Sequence, residues 1–214
     1  MAARFLALGD SYTVGEGVDD VACWPALICA RLDAVELVRV AKTSWTVGEL
    51  DRALDLARPR GAFDVVSLLI GVNDQYRGGA PEAYAPSFRA MLRRAAGFAR
   101  GEPSRVMVLS IPDYGFTPHG ARERARIGAE LDAFNRVSRA AARELGAHYI
   151  DITTCSRQDR PGWIAADGLH PSATQHAVCA QRIAPVFDAI VARRPRVEAG
   201  LAASAALTGH RPPA

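Results

Sequence analysis

The chain has 214 residues, of which 49% are hydrophobic and 23% charged, a composition typical of one globular domain that excludes a disordered or fibrous chain. The net charge is only +3 and the basic residues are spread along the chain, which argues against a nucleic-acid-binding surface. No stretch approaches the ~20 uninterrupted apolar residues of a membrane-spanning helix, so we expect no membrane insertion.

Short apolar segments alternate with longer amphipathic ones along the chain. Strands are predicted at residues 4–8, 35–40, 64–70, 105–110 and 148–152. Helices are predicted at residues 24–32, 47–57, 84–99, 122–145 and 172–193. Strands that alternate with helices form right-handed βαβ units, so the pattern predicts one three-layer α/β/α domain with a parallel sheet.

The ends of the chain carry two further predictions. The first apolar run is short and ends at Gly9, which does not fit a secretory signal, so we expect a cytoplasmic protein. Residues 1–194 are predicted to form the domain, and residues 195–214, rich in Ala, Gly and Pro, a C-terminal tail. A helix over residues 197–207 is the alternative for that tail.

The four cysteines, Cys23, Cys29, Cys155 and Cys179, form no CxxC pair. Without a secretory signal they are predicted to be free and mostly buried thiols. A disulfide between Cys155 and Cys179 stays open as an alternative.

Polar segments follow three of the predicted strands. They are residues 9–12 (GDSY), residues 71–74 (GVND) and residues 167–170 (DGLH). Ligands of open α/β sheets bind beyond the carboxyl ends of the strands, where all three segments fall. If the strand order is 2-1-3-4-5, the first and third strands are neighbours, and Ser11 and Asn73 face one crevice.

These segments contain the residue types of a nucleophilic acyl-transfer site. A neutral imidazole such as that of His170 removes the proton of a serine such as Ser11 as its oxygen attacks a carbonyl carbon. Asp167 lies three residues before His170, close enough to hold the second ring nitrogen. The amide of Asn73 is suited to donate a hydrogen bond to the developing oxyanion.

The ordered set of three segments resembles the SGNH (GDSL-type) serine hydrolase superfamily, and the resemblance covers residues 4 to about 192. It implies a flavodoxin-like, five-stranded sheet in the order 2-1-3-4-5 and hydrolysis of small carboxylic esters or thioesters without metal or cofactor. It also implies Ser11, Asp167 and His170 as the catalytic triad. The expected partner is a small-molecule ester.

The same resemblance implies an oxyanion hole formed by the backbone N–H of Ser11, a glycine N–H and the side chain of Asn73. The sequence departs from the family pattern at the glycine, because Ser44 occupies that position. Serine also has a backbone N–H, so we expect the donor to survive beside a narrower pocket. Gly48 is the alternative, but it falls four residues later, within a predicted helix.

Other interpretations of these residues remain. Asp10, Asp74, Asp167 and His170 have the ligand types of a Mn²⁺ or Mg²⁺ site, although their spacing matches no metal motif. An acyltransferase would use the same triad with an alcohol in place of water. A binding module on the same fold would not need Ser11, Asn73 and His170 together. The sequence does not indicate an oligomeric state.

Aromatic residues near the three segments are candidates for shaping a substrate pocket. They are Tyr12, Trp45, Tyr76, Trp163 and the rings of residues 111–118. Packing within loops is the alternative for each of them. We interpret Asp10 as a structural hydrogen-bond acceptor, Arg77 as a solvated side chain, and His119, His148, His176 and His210 as structural residues.

Overall fold

The computed structural model of the protein describes residues 2–193, so the predicted tail lies outside the described residues. These residues form one all-parallel sheet in the order β2-β1-β3-β4-β5. Its strands are β1 (Ala3–Gly9), β2 (Val35–Ala41), β3 (Val65–Leu69), β4 (Val106–Leu109) and β5 (His148–Ile150). The predicted strand order is confirmed, and every strand boundary lies within two residues of its predicted position.

The helices cover both faces of the sheet. They are α1 (Ser11–Val14), α2 (Trp24–Cys29), α3 (Val47–Ala57), α4 (Val72–Tyr76), α5 (Pro81–Phe98), α6 (Arg124–Leu145), α7 (Thr153–Ser156) and α8 (Ala173–Ala192). Helix α2 packs against α8, and α5 packs against α3 and α6, which gives the predicted three-layer α/β/α architecture. The short helices α1, α4 and α7 are not predicted by the periodicity, because one turn is too short to show it.

The core lies on both sides of the central strands, whose side chains are almost all buried. On one face, the ring of Phe5 lies 6.3 Å from that of Trp24 and 5.1 Å from that of Phe187. On the other face, the rings of Tyr84 and Phe134 are 4.6 Å apart. Burial on both faces explains why these strands are nearly continuous apolar segments.

The register of the two central strands positions the polar segments. Gly9, the last residue of β1, pairs with Leu69, the last residue of β3. Helices α1 and α4 follow these two positions within three residues, at the same edge of the sheet. The segments that contain Ser11 and Asn73 therefore leave the sheet side by side.

The described residues also bear on the predictions about thiols and membranes. All four cysteines are free; Cys29 is partly exposed and the other three are buried, as predicted. Within residues 2–193, no helix has both the length and the apolar character needed to cross a lipid bilayer.

Candidate active site

Ser11 is the first residue of α1, immediately beyond the end of β1. The Asp10 side chain caps this helix, since its Oδ1 accepts a hydrogen bond of 3.1 Å from the backbone N–H of Tyr12. The chain turns so tightly here that a Cβ on Gly9 would overlap Thr13 and the carbonyl oxygen of Leu69. The glycine of the GDSY segment is therefore required for the turn that presents Ser11 to the pocket.

Asn73 lies in the first turn of α4, beyond the end of β3. The preceding Gly71 has a φ of +126°, and a Cβ there would lie 2.7 Å from the hydroxyl oxygen of Tyr84, so only glycine fits. The side-chain Nδ2 of Asn73 donates to the carbonyl oxygen of Trp45 at 2.9 Å. A primary amide has two N–H groups, so one is left for a ligand.

Asp167 and His170 are joined directly. Nδ1 of His170 and Oδ2 of Asp167 are 2.7 Å apart, and the other carboxylate oxygen accepts the backbone N–H groups of Leu169 and His170, each at 2.9 Å. Partial burial opposes ionisation, but these hydrogen bonds outweigh it and hold the pKa of Asp167 below its usual value. An ionised Asp167 fixes the ring of His170 and leaves its Nε2 free for another partner.

Ser44 occupies a glycine-like conformation. Its φ of +72° lies in the left-handed region that L-residues other than glycine seldom adopt. Gly48, the alternative, lies inside α3. The backbone at Ser44 therefore has the conformation that favours glycine. Within the described residues, the backbone N–H of Ser44 donates no hydrogen bond.

Arg77, at the end of α4, contacts this segment through its guanidinium. Its Nη2 donates to the carbonyl oxygen of Ser44 at 2.6 Å, and its Nη1 lies 3.2 Å from a carboxylate oxygen of Glu49. Glu49 in turn accepts the backbone N–H of Thr46 in the capping box of α3. Arg77 is therefore not a freely solvated side chain.

These groups surround one pocket of about 260 Å³. It is lined by Ser11, Tyr12, Thr43, Ser44, Val72, Asn73, Tyr76, Tyr114, His119, Leu169 and His170. The pocket thus unites Ser11, Ser44, Asn73 and His170, which come from four separate parts of the chain. Within residues 2–193 the Ser11 hydroxyl makes no hydrogen bond, so its contact with His170 stays a prediction.

Two buried titratable groups flank the site. The pKa of Asp10 is raised to about 8, mainly by burial. The hydrogen bond from Tyr12 lowers this pKa and the nearby Asp74 carboxylate raises it, but both effects are smaller. The pKa of His176 is lowered to about 4, mainly by burial and to a smaller extent by the neighbouring His170. At neutral pH Asp10 is therefore mostly protonated and His176 neutral.

The described residues do not support the interpretation of these carboxylates as a metal site. Residues 2–193 contain no group of three or more His, Cys, Asp or Glu side chains arranged to hold a metal ion. Asp10, Asp74, Asp167 and His170 therefore do not form the carboxylate cluster that this interpretation needs. Asp74 instead accepts the backbone N–H of Val47 at 3.1 Å.

Comparison with known proteins decides the family. Residues 7–178 match the GDSL-like lipase/acylhydrolase family. The chain is also 30% identical to esterase TesA of Pseudomonas aeruginosa over 181 residues, which cover 80% of this chain and 81% of that protein. This chain belongs to the GDSL-like lipase/acylhydrolase family. It is therefore an ester-hydrolysing enzyme, as the three polar segments predict.

Solved structures share the fold of this chain. A lipolytic G-D-S-L family protein from Veillonella parvula superposes with a TM-score of 0.71 at 18% identity, over 87% of this chain and 99% of that one. The acetylxylan esterase Axe2 from Geobacillus stearothermophilus gives a TM-score of 0.67 at 18% identity, over 86% and 94% of the two chains. At these identities the likeness shows the shared fold.

The sequence predicts some pocket walls of this GDSL enzyme and misses others. Three of the predicted aromatic residues, Tyr12, Tyr76 and Tyr114, line the pocket. Trp163 does not, because it is buried and its indole N–H donates to the carbonyl oxygen of Cys155 at 2.8 Å. His119, interpreted as structural, lines the pocket. No local pattern marks it, because only the folding of residues 110–123 brings it to the wall.

Proposed function

We propose that this GDSL family member is a serine esterase that hydrolyses small carboxylic esters through an acyl-enzyme. Ser11 attacks the ester carbonyl while His170 removes its proton at Nε2. The same imidazolium then protonates the leaving alcohol, and water attacks the acyl-enzyme with His170 again as base. Asp167 orients His170 and stabilises its charged form.

The oxyanion of each tetrahedral intermediate is held by three donors in this proposal. They are the backbone N–H groups of Ser11 and Ser44 and the free N–H of the Asn73 amide. Each is fixed before substrate arrives, by the start of α1, by the left-handed backbone and by the hydrogen bond to Trp45 respectively. Donors that need no reorganisation stabilise a developing charge most effectively.

The single observation that carries the proposal is the position of His170. Its Nδ1 is 2.7 Å from Asp167, and its ring lines the same pocket as Ser11 and Asn73. The pocket volume of about 260 Å³ supports a short acyl group such as acetyl, because it lies below the usual range of ~300–1,000 Å³ for drug-sized ligands.

The test combines covalent labelling with kinetics. A fluorophosphonate should label the wild type at Ser11, and Ser11→Ala should lose both labelling and hydrolysis of p-nitrophenyl acetate. Thr13→Ala, which removes the other aliphatic hydroxyl of α1, is the matched control and should keep both. Labelling at another residue, or a Ser11→Ala variant with wild-type activity, would overturn the proposal. Adding a polyol acceptor separates hydrolysis from acyl transfer by the acetylated product it yields.

A further inference from the structure

Trp24 makes two hydrogen bonds that link the segment of Ser11 to the helix that follows His170. It is the first residue of α2, is 1% exposed and does not line the pocket. The mechanism proposed above assigns no role to it. Within residues 2–193 no hydrogen bond joins Ser11 to His170 directly, so the contacts around these two residues set their separation.

The first bond of Trp24 holds the helix of the nucleophile. The indole N–H of Trp24 donates to the carbonyl oxygen of Tyr12 at 2.9 Å. Tyr12 follows Ser11 in α1, and a helix of four residues leaves its carbonyl groups without partners inside the helix. In the described chain no backbone N–H donates to the Tyr12 oxygen. Trp24 therefore satisfies a carbonyl group that this one-turn helix cannot satisfy itself.

The second bond of Trp24 reaches α8. The backbone N–H of Trp24 donates to Nδ1 of His176 at 3.3 Å. Cys23, the N-cap residue of α2, makes no side-chain hydrogen bond, so His176 satisfies this first N–H of the helix instead. His176 is 2% exposed, and its pKa is lowered to about 4, mainly by burial. At neutral pH its ring is therefore uncharged and Nδ1 accepts a hydrogen bond.

Helix α8 continues the segment of His170. Its first residue, Ala173, follows His170 by three positions, and His176 lies one turn further along. The ring of Tyr12 also contacts the histidine segment, since its centroid is 6.2 Å from that of His170 at an interplanar angle of 69°. The helix that begins with Ser11 and the segment of His170 are thus connected twice, through Trp24 and through the ring of Tyr12.

We propose that Trp24, with His176 as its acceptor, is a positioning residue that holds the hydroxyl of Ser11 within reach of Nε2 of His170. Proton transfer between these two atoms needs a distance of about 2.6–3.2 Å, so a small displacement of either helix slows the reaction. Neither Trp24 nor His176 lines the pocket. This inference rests on the proposed esterase function and adds to it the residues that align the triad.

The first test is Trp24→Phe, which removes the indole N–H and keeps an aromatic ring to pack against Phe5, now 6.3 Å away. The rate of Ser11 labelling by a fluorophosphonate and kcat for p-nitrophenyl acetate should each fall about tenfold, with KM nearly unchanged. Labelling should still go to completion, because every molecule is folded and only reacts more slowly. A loss of folded protein alone would lower the final extent of labelling instead.

Trp163→Phe is the matched control. Trp163 is also buried, and its indole N–H also donates to a backbone carbonyl, that of Cys155 at 2.8 Å. This bond involves neither α1 nor α8. The variant should lose a similar amount of thermal stability, because a carbonyl group again loses its donor. Its labelling rate and kcat should nevertheless stay within about twofold of the wild type.

Variants of His176 test the second bond independently. His176→Asn places a carbonyl oxygen near the position of Nδ1 and accepts from Trp24, whereas His176→Leu has no acceptor. His176→Leu should therefore be labelled about tenfold more slowly than His176→Asn. Trp24→Phe combined with His176→Leu should slow labelling little more than either change alone, because both break the same link. The two His176 variants decide the question if Trp24→Phe does not fold.

The outcomes separate this inference from the proposed function. If Ser11 of the wild type is labelled but Trp24→Phe reacts at the wild-type rate, Trp24 does not align the triad. The same conclusion follows if Trp163→Phe slows labelling equally, or if His176→Asn and His176→Leu react at one rate. If the fluorophosphonate does not label Ser11 in the wild type, the esterase proposal itself fails and this inference fails with it.

Discussion

The guanidinium of Arg77 donates a hydrogen bond of 2.6 Å to the carbonyl oxygen of Ser44. The next carbonyl oxygen, that of Trp45, accepts the side chain of Asn73 at 2.9 Å. Two consecutive carbonyl groups thus accept hydrogen bonds from side chains of the segment that follows β3. Their positions fix the two peptide groups that follow Ser44 and so restrict the orientation of its backbone, and we infer that Arg77 is a positioning residue for the proposed oxyanion hole.

Arg77→Ala should lower kcat for p-nitrophenyl acetate about tenfold and leave KM nearly unchanged, because a misplaced donor acts on the transition state more than on the bound ester. Steady-state kinetics check this. Arg94→Ala is the control: Arg94 also binds α3, with a bond of 2.6 Å to Asp51, and its hydrogen bonds go to Asp51 and Asp55, neither of which lines the pocket. An equal loss of kcat in both variants would contradict a positioning role.

Ser44→Gly should stabilise the protein by about 1 kcal/mol, because glycine adopts a φ of +72° without the cost that a side chain adds. For a chain of this size we expect Tm to rise by roughly 2–4 °C in thermal unfolding. Hydrolysis of short esters should stay within about tenfold of the wild type, since the backbone donor is kept. Bulkier acyl groups should gain relative to acetate.

Asn73→Ala provides the contrast to Ser44→Gly. It removes a side-chain donor outright and should lower kcat by about 10²–10³. A folded Ser44→Gly variant that lost as much activity would mean that the Ser44 hydroxyl takes part in the chemistry.

Asp10→Asn should raise stability increasingly with pH. The folded pKa of about 8 lies above the ordinary value of 3.8, so between these values the unfolded chain ionises and the folded one does not. Wild-type stability therefore falls as pH rises through this window, whereas an amide does not ionise and still accepts from Tyr12. Urea unfolding at pH 5 and pH 8 measures the difference. The same advantage at both pH values would show that Asp10 is ionised throughout.

His176→Gln should flatten the acid side of the stability profile. Nδ1 of His176 accepts the backbone N–H of Trp24 at 3.3 Å, and its folded pKa of about 4 lies below the ordinary 6.5. Between pH 6.5 and about pH 4 this histidine binds a proton in the unfolded chain but not in the folded chain. The free energy of unfolding therefore falls over this range as the pH is lowered, by ~3 kcal/mol in all. Unfolding free energies between pH 4 and pH 7 test this, and an equal slope in both proteins would refute it.

The fold could be predicted from the sequence because its signals are local. The continuous apolar segments that form β1, β3 and β4 are long enough to be distinguished from helices, and the sheet order follows from the family resemblance. The one-turn helices α1 and α4 could not be predicted, because neither is long enough to show a period. Both present the polar segments to the pocket.

The site was predictable to the extent that its residues form motifs. Asp167 and His170 lie three residues apart, and their hydrogen bond is confirmed. The bond from Arg77 to Ser44 spans 33 residues and joins a side chain to a backbone oxygen. The sequence does not mark such an acceptor, because every residue has a carbonyl group. The same holds for His119 and Gly168.

The wall formed by Tyr114 and His119 belongs to a long connection between β4 and α6, whereas Ser11 and Asn73 follow β1 and β3 directly. Replacing residues 114–120 by a loop of another sequence would therefore exchange substrate preference without moving the nucleophile. The graft must keep a backbone N–H at position 119 for the carbonyl of Gly168, which any amino acid except proline supplies. It must also keep glycine at position 120, where a Cβ would lie 2.2 Å from the carbonyl oxygen of residue 114. Under the proposed function, the residues that set substrate preference and the nucleophile therefore lie on different connections of one sheet, and the backbone hydrogen bond from His119 to Gly168 links the first of these to the histidine segment.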